Sequence, residues 1–275
     1  MWRSVSIICL MIPLLYTPII CASPNNVLRI ATTTSVESSG LLKYLLPHFI
    51  KLHPYDIKII AVGSGKALRM ARTGDADVIL VHSPEAENRF VDEGYGINRQ
   101  DIMKNDYVLA GPGEDKAGIG SATSIDEALA RIVKSGNAFI SRGDDSGTHR
   151  EELYLWKNAD IDPFGNDWYI ETGTSMVSSL RTAEEMNAYI LIDRATFLTQ
   201  HQQGFSILYE DRIKLSSTFN VIAANPEKNK GVNAEAALNL INWLTSAHGQ
   251  ATIAGYSHNG QQLYSPTRLS PGNTQ

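Results

Sequence analysis

The stretch 27–73 reads VLRIATTTSVESSGLLKYLLPHFIKLHPYDIKIIAVGSGKALRMART and sets out the fold. Two apolar runs of strand length, 27–32 and 57–62, alternate with two segments, 40–53 and 65–73, whose apolar residues recur at helical spacing. This strand–helix–strand–helix order predicts a mainly parallel sheet with helices on both faces. Ligands of such sheets bind at the carboxyl ends of the strands.

The same alternation continues along the rest of the chain in two sets. Strand-like runs at 76–81 and 107–111 complete the first set, and the glycine-containing segment 111–118 separates it from the second. We therefore expect an α/β protein of two lobes with a ligand cleft between them. The later predicted elements are helix 124–136, strand 138–141, helix 147–157, strand 168–171, helix 175–187, strand 189–193, strand 218–225 and helices 233–246 and 247–255.

The N-terminus predicts an export signal. Arg3 is its only charge, the following run is apolar, and the small pair Ala22-Ser23 precedes a polar segment. The run is too short and proline-broken for a membrane anchor, and acylation of Cys21 stays open as an alternative. The expected boundaries are 1–22 for the signal peptide, 27–110 and 218–265 for lobe 1, 113–215 for lobe 2 and 266–275 for a disordered tail.

Composition limits the function classes. A formal net charge of −5, without a basic cluster, argues against a nucleic-acid partner. Both cysteines, Cys9 and Cys21, lie in the predicted signal, so the mature chain would hold neither disulfides nor thiolate metal sites. The seven histidines show no metal-binding spacing. We expect no metal and no cofactor, and any anion must be bound by local groups.

Four small, hydroxylated turns follow predicted strands and open predicted helices. Such turns present unpaired backbone N–H groups and the positive end of the helix dipole, and their serine and threonine side chains add hydroxyl donors. A single turn of this kind is usually structural, because serine and threonine are common N-caps. Four turns at one edge of the strands predict a donor-lined oxyanion pocket. They read TTTSVESSG after 27–32, GSGKA after 57–62, RGDDSGTH after 138–141 and TGTSM after 168–171.

Arg142 is the cation of these turns, and two interpretations are open. It could pair with Asp144 or Asp145, or it could donate to a tetrahedral anion, and an aspartate that braces it would allow both. A serine hydrolase built from Ser146 and His149 is a weaker alternative, because GDDSG departs from the G-x-S-x-G elbow.

Seven ordered motifs carry a family resemblance across residues 27–256. They are TTTS, VGSGKAL, GDADVILVH, NDYVLAGP, SRGDDSGTH, YIETGTSM and LIDRATF. Together they resemble the periplasmic tungstate-binding proteins of ABC importers, the TupA-like group. The resemblance implies a type II periplasmic-binding-protein fold, with two α/β lobes joined by two hinge strands, and a monomer that delivers tungstate or molybdate to an ABC transporter permease in the periplasm.

The resemblance also implies which residues hold the oxyanion without a metal. In this sequence the matching positions are Thr34, Ser35, Ser64, Arg142, Ser146, Thr148, Thr174 and Ser175.

The alternative ligands are molybdate, sulfate and phosphate. Phosphate near neutral pH keeps a proton, and a selective site needs an acceptor for it. The resembling phosphate-binding proteins place an aspartate after the third strand, where this chain has His82 and Ser83. A donor-only pocket for a fully deprotonated dianion is therefore favoured, although Asp77 on the strand keeps phosphate open. For His82 we expect a neutral side chain that is hydrogen-bonded at the cleft floor.

Overall fold

The computed structural model describes residues 26–268, so the expected signal peptide and Cys21 lie outside the described residues. Within 26–268, no helix is both long and apolar enough to cross a bilayer. The chain opens with the alternation that the sequence predicts. Its first elements are β1 (Val27–Thr33), α1 (Thr34–Ser38), α2 (Leu41–Ile50), β2 (Asp56–Val62), α3 (Ser64–Thr73), β3 (Val78–Val81), α4 (Pro84–Asp92) and β4 (Gly96–Pro112).

A short 3₁₀ helix, Ile119–Ser121, leads into the second lobe. This lobe contains α5 (Ile125–Ser135), β5 (Phe139–Ser141), α6 (Gly147–Asn158), β6 (Tyr169–Glu171), α7 (Met176–Met186), β7 (Tyr189–Asp193), α8 (Arg194–Gln200) and β8 (Phe205–Glu210). The chain then returns to the first lobe through β9 (Ser216–Ala224), α9 (Ala234–Thr245), α10 (Ala247–Ala254), β10 (Ser257–His258), β11 (Gln261–Gln262) and β12 (Ser265–Pro266).

Each lobe is built on its own part of a continuous sheet. In lobe 1 the strand order is β2-β1-β3-β9-β4, and only β9 runs against its neighbours. In lobe 2 the order is β4-β7-β5-β6, with β7, β5 and β6 parallel. The two lobes therefore have the mainly parallel sheets that were expected, and the carboxyl ends of their parallel strands face the space between the lobes.

Two chain segments cross between the lobes. The first crossing is in β4, where Asp106 still pairs with Ser216 of β9 while Tyr107 pairs with Asp193 of β7. Strand pairing thus changes ahead of residue 110, the expected end of the first part of lobe 1. The second crossing is the segment 211–215, which links β8 to β9. Tyr107 N donates to Leu215 O over 2.9 Å, so the crossings lie side by side.

Alternation along the strands divides each core into two layers. Leu28 and Ile30 of β1 pack on one face of the lobe 1 sheet, and Ala31 packs on the other. In lobe 2 the same alternation sends Leu191 of β7 to one face and Ile192 to the other. Both faces of both sheets are covered by helices, so each lobe has a core that fixes the ends of its strands.

The prediction of a disordered tail at 266–275 is wrong for its first three residues. Pro266 pairs with Met103 of β4, and Arg268 N donates to Gln250 Oε1 over 2.9 Å. These contacts attach residues 266–268 to lobe 1, whereas 269–275 lie outside the described residues.

Candidate functional site

A cavity of about 260 Å³ lies between the lobes, at the ends of β1, β2, β3, β5 and β6. Both lobes contribute to its wall, and every residue that the sequence predicts as an oxyanion ligand lines it. The lining residues are Thr33, Thr34, Ser35, Gly63, Ser64, His82, Arg142, Asp144, Ser146, Gly147, Thr148, Gly173, Thr174 and Ser175.

The first turn brings three hydroxyl groups to the lobe 1 wall. Thr33 is the N-cap of α1, and its Oγ1 accepts from Val36 N over 3.4 Å. Its Oγ1 also lies 3.0 Å from Ser35 Oγ, and both residues are buried. Thr34, between them, is half-buried. N-capping therefore sets the backbone of this turn, and all three of its residues line the cavity.

Ser64 provides the second lobe 1 contribution, at the start of α3. The N-cap of this helix is Gly63, which offers no side-chain acceptor to the first-turn amides. Ser64 is 6% exposed, and its Oγ has no hydrogen-bond partner. A buried hydroxyl without a partner costs about 1–3 kcal/mol, and a ligand acceptor at this position would remove that cost.

Arg142 is the cation of the cavity and lies directly after β5. It is 6% exposed, and its Nη2 lies 2.5 Å from Asp144 Oδ2. Its Nε is buried and has no hydrogen-bond partner. The second aspartate of the loop, Asp145, pairs instead with Arg150 at 2.8 Å. Asp144 therefore braces the guanidinium through Nη2, and the Nε of the same guanidinium keeps a free N–H. The sequence allows both, and here both occur together.

The loop that holds Arg142 depends on two left-handed backbone positions, Gly143 at φ 58° and Asp145 at φ 56°. A Cβ at position 143 would lie 2.7 Å from the Cβ of Glu171, so glycine is needed there for space as well as for backbone conformation. The Asp144 carboxylate also accepts from Ser146 N over 3.2 Å. This second bond fixes the carboxylate, and through it the guanidinium.

Ser146 and Thr148 open α6 on the lobe 2 wall. Ser146 is the N-cap, and its Oγ accepts from His149 N over 3.3 Å. Thr148 is 2% exposed, so its side chain lies at a buried part of the wall.

Thr174 and Ser175 form the most exposed part of the wall. Thr174 Oγ1 donates to Thr172 Oγ1 over 3.1 Å, and Ser175 caps α7 by accepting from Ser178 N over 3.3 Å. Both residues are exposed, in contrast to Ser35, Ser64 and Thr148. They therefore line the cavity as solvent-exposed residues.

His82 lies at the floor, directly after β3, and is 9% exposed. Its ring stacks on Phe219 with centroids 4.4 Å apart, and its Nδ1 lies 3.2 Å from Ser217 Oγ and 3.4 Å from the Tyr107 hydroxyl. Burial, and to a smaller degree the charge of Arg142, lowers the pKa of His82 to about 4. The side chain is therefore neutral near pH 7 and hydrogen-bonded, as expected from the sequence.

Comparison with known proteins identifies the family. The model of the PBP superfamily domain matches residues 22–248. The tungstate-binding protein TupA of Peptoclostridium acidaminophilum is 43% identical over 245 residues, which are 88% of this chain and 84% of the relative. The chain belongs to the TupA-like family of the PBP superfamily.

Solved structures of TupA-like proteins share the fold. The tungstate ABC transporter structure from Geobacter sulfurreducens matches with a TM-score of 0.79 and 41% identity, over 85% of this chain and 100% of that chain. The tungstate-binding protein TupA from Desulfovibrio alaskensis G20 matches with a TM-score of 0.76 and 37% identity, over 87% and 98%. The type II periplasmic-binding-protein fold expected from the sequence is confirmed.

TupA-like proteins are solute-binding proteins of ABC transporters and not enzymes. In the loop around Ser146, Ser146 Oγ accepts from the backbone N of His149, while His149 Nδ1 accepts from Asp145 N over 3.1 Å. The other ring nitrogen of His149 lies 3.7 Å from Glu171 Oε1. Both the Ser146 hydroxyl and the His149 ring thus hold the start of α6 in place.

Asp77 does not line the cavity of this TupA-like protein. It is buried at the opposite end of β3, where it pairs with Arg29 at 2.6 Å and accepts from Asn233 N over 2.8 Å. Within residues 26–268, no group of three or more histidine, cysteine, aspartate or glutamate side chains could hold a metal ion. The carboxylate that does line the cavity is Asp144, which sequence reasoning had assigned as the brace for Arg142.

Six lining residues lie beyond the predicted set and complete the TupA-like cavity wall, namely Thr33, Gly63, His82, Asp144, Gly147 and Gly173. Thr33 belongs to the quoted TTTS motif, and its position as the last residue of β1 is the signal that could have included it. Gly147 lies between two predicted ligands, and an added Cβ there would lie 2.7 Å from His82 Cε1. No pattern in the sequence predicts this close approach of Gly147 in lobe 2 to His82 in lobe 1.

Proposed function

We propose that this chain captures a doubly charged tetrahedral oxyanion outside the cytoplasm, most specifically tungstate, and delivers it to the permease of an ABC importer. The relatives named for tungstate binding and the solved tungstate transporter proteins support this function, because they match over most of both chains. The predicted ligand residues around one cavity support it independently.

The observation that carries the proposal is a pair of unpartnered donors on opposite walls. Ser64 Oγ belongs to lobe 1 and Arg142 Nε to lobe 2, and both are buried and without a hydrogen-bond partner. They line the same cavity. A protein leaves such donors unsatisfied where a ligand supplies the acceptors, and an oxyanion carries acceptors only.

The charge of the wall favours an anion without a proton. Asp77, the carboxylate that could accept the proton of phosphate, is held by Arg29 and Asn233 away from the cavity. Asp144 is occupied by Arg142 and by Ser146 N. A fully deprotonated dianion needs donors, and the threonine and serine hydroxyls and first-turn amides of the wall supply them.

Molybdate and sulfate satisfy the same donor chemistry. Tungstate and molybdate are nearly equal in size, charge and shape, and the names of the relatives rather than the cavity favour tungstate. Roughly seven or eight donors around four oxygens would replace the hydration shell, each charge-assisted bond contributing about 1.5–3 kcal/mol. We propose that the donors need no metal and no cofactor.

Binding and lobe closure form one event in this mechanism. Ser35 and Ser64 come from lobe 1, while Arg142, Ser146 and Thr148 come from lobe 2. The anion is fully hydrogen-bonded only when both walls meet, so it stabilises the closed arrangement. The permease can then distinguish the loaded protein by its shape.

The proposed location follows from the same function. Export by the predicted signal, residues 1–22, would release a monomer into the periplasm, and acylation of Cys21 would instead tether it to the outer face of a membrane.

Calorimetry tests the proposed function. The mature chain, treated with a chelator and dialysed, is titrated with tungstate, molybdate, sulfate and phosphate in separate experiments. We expect one tungstate ion per chain, with phosphate much weaker. Binding of phosphate alone, or of none of the four anions, would contradict the proposal.

A further inference from the structure

His82 occupies a boundary between two cavities. The ring lines the 260 Å³ cavity of the candidate site and also a neighbouring cavity of about 390 Å³. Tyr107 and Ser217, which contact its Nδ1, line only the neighbouring cavity. The Nδ1 edge therefore faces the hinge strands, and Nε2 is directed away from them.

The two ring nitrogens differ in their partners. Nδ1 has two hydroxyl groups within 3.4 Å, and each of them can donate a proton to it. Among residues 26–268, Nε2 has no hydrogen-bond partner. The ring cannot rotate freely to exchange the two nitrogens, because it stacks on Phe219 and lies so near Gly147 that an added Cβ there would come within 2.7 Å of its Cε1.

An oxyanion in the cavity would determine which ring nitrogen of His82 carries the proton. A group that faces acceptor-only oxygens must donate, and a neutral imidazole that donates from one nitrogen accepts with the other. We propose that His82 is a further ligand-binding residue, which donates its Nε2–H to the oxyanion while the Tyr107 and Ser217 hydroxyls fix this tautomer through Nδ1. The inference rests on the proposed function and adds one neutral donor to it.

The tautomer also links the ligand to the first crossing. Tyr107 lies on β4 where the strand pairing passes to Asp193 of lobe 2, and Ser217 lies on β9 of lobe 1. A ligand oxygen on Nε2 would therefore be connected, through the His82 ring, to the strand on which the chain first passes between the lobes.

The charges around His82 favour the neutral form. Arg142 faces it across the candidate cavity, whereas Glu85, Arg89, Arg150 and Glu151 line the neighbouring cavity. Two basic and two acidic side chains on that side offset one another in charge, so burial, and to a smaller degree the charge of Arg142, disfavours a positive charge on the ring.

Two amide variants of His82 test which of its two ring nitrogens contacts the ligand. The amide nitrogen of glutamine can take the position of Nε2, whereas that of asparagine takes the position of Nδ1. We expect His82→Gln to keep tungstate affinity within a few-fold of the wild type and His82→Asn to lose roughly 10- to 100-fold. His201→Leu, an exposed histidine outside the cavity, serves as the control and should bind as the wild type.

The wild-type protein gives a second readout that needs no variant. Long-range ¹⁵N–¹H correlation spectra of the tungstate complex at about pH 8 should show His82 as the neutral Nε2–H tautomer. An Nδ1–H tautomer, an imidazolium, or equal affinity of the two amide variants would overturn this inference while tungstate binding itself stands. Failure of the wild type to bind tungstate would instead reject the proposed function.

Discussion

Arg142 Nη2 lies 2.5 Å from Asp144 Oδ2, and the opposite oxygen of this carboxylate accepts from Ser146 N. One aspartate thus orients the guanidinium and fixes the start of α6 at the same time. Because the Nε of Arg142 keeps no protein partner, the brace leaves a donor for the ligand. A bound acceptor would satisfy this buried donor.

Substitution of this arginine should remove most of the affinity. We expect Arg142→Ala to weaken tungstate binding by about 100-fold or more, because a charge-assisted donor group is lost from a buried site. Asp144 is 22% exposed and can be hydrated, so the fold should persist. Arg150→Ala is the matched control, since Arg150 pairs with the neighbouring Asp145 and is half-exposed. Calorimetry of both variants checks this, and unchanged binding by Arg142→Ala would make the arginine structural.

Ser64 should affect affinity and stability with opposite signs. In the ligand-free protein its Oγ is buried without a partner, so Ser64→Ala should leave the melting temperature unchanged or raise it. The same change should weaken tungstate binding roughly 10-fold, because the hydroxyl donor is lost. Ser135→Ala, whose Oγ donates to Ile132 O far from the cavity, is the control. A lower melting temperature together with unchanged affinity would show that the hydroxyl serves the fold.

Substitution of Gly147 tests whether lobe closure needs the close approach of Gly147 to His82. A Cβ at this position would lie 2.7 Å from His82 Cε1, so Gly147→Ala should push the lobes apart and weaken tungstate binding at least several-fold. Its backbone is not left-handed, so alanine adds no backbone strain, and any loss of stability would come from the contact with His82. Gly65→Ala in the first turn of α3 is the matched control, because its Cβ would meet nothing closer than 3.7 Å. Equal affinity of the two variants would contradict the tight approach.

Glu152 should make stability depend on pH. Burial raises the pKa of Glu152 to about 7, although hydrogen bonds from Tyr169, Ser141 and Trp156 oppose the rise. Between its ordinary value of 4.5 and about 7, the folded protein holds a proton that the unfolded chain has released. The free energy of unfolding should therefore fall as pH rises through this window.

The substitution Glu152→Gln removes the contribution of this carboxyl group to the pH dependence of stability. We expect the wild type to lose stability relative to this variant from about pH 4.5 to about 7, and the difference to stay constant above that range. Urea unfolding of both proteins across this range is the measurement. Parallel stability curves would show that folding does not raise the pKa of Glu152.

The regular parts of the fold could be predicted from the sequence because they follow simple periods. The buried strand β3 is a continuous apolar run, β7 is apolar up to Asp193, β1 is mainly apolar, and α5 has a clear apolar stripe. The first half of β4 was missed because its pairing with β9 shifts register twice, at Ile97/Gln100 and Asp101/Met103, and this disrupts the alternation. The helix α8 was missed because it is short and its first four residues are all buried, so it shows no stripe.

The position of the site could be predicted, but the state of each donor could not. Ser64 and Ser175 both lie at the start of a helix in a glycine-containing turn. The Ser64 hydroxyl is buried without a hydrogen-bond partner, whereas Ser175 is an exposed N-cap. Likewise, Asp144 and Asp145 are adjacent, and only the left-handed backbone at Asp145 sends them to different arginines. Such differences depend on tertiary packing, which composition and spacing do not encode.

A crystal structure of the tungstate complex, with anomalous data collected at a tungsten absorption edge, tests the central claim most directly. We predict a single strong anomalous peak in the cavity, within hydrogen-bonding distance of Ser64 Oγ and the Arg142 guanidinium, with both lobes in contact with the ion. A peak elsewhere on the chain, or a metal ion between the tungstate and the protein, would contradict the account.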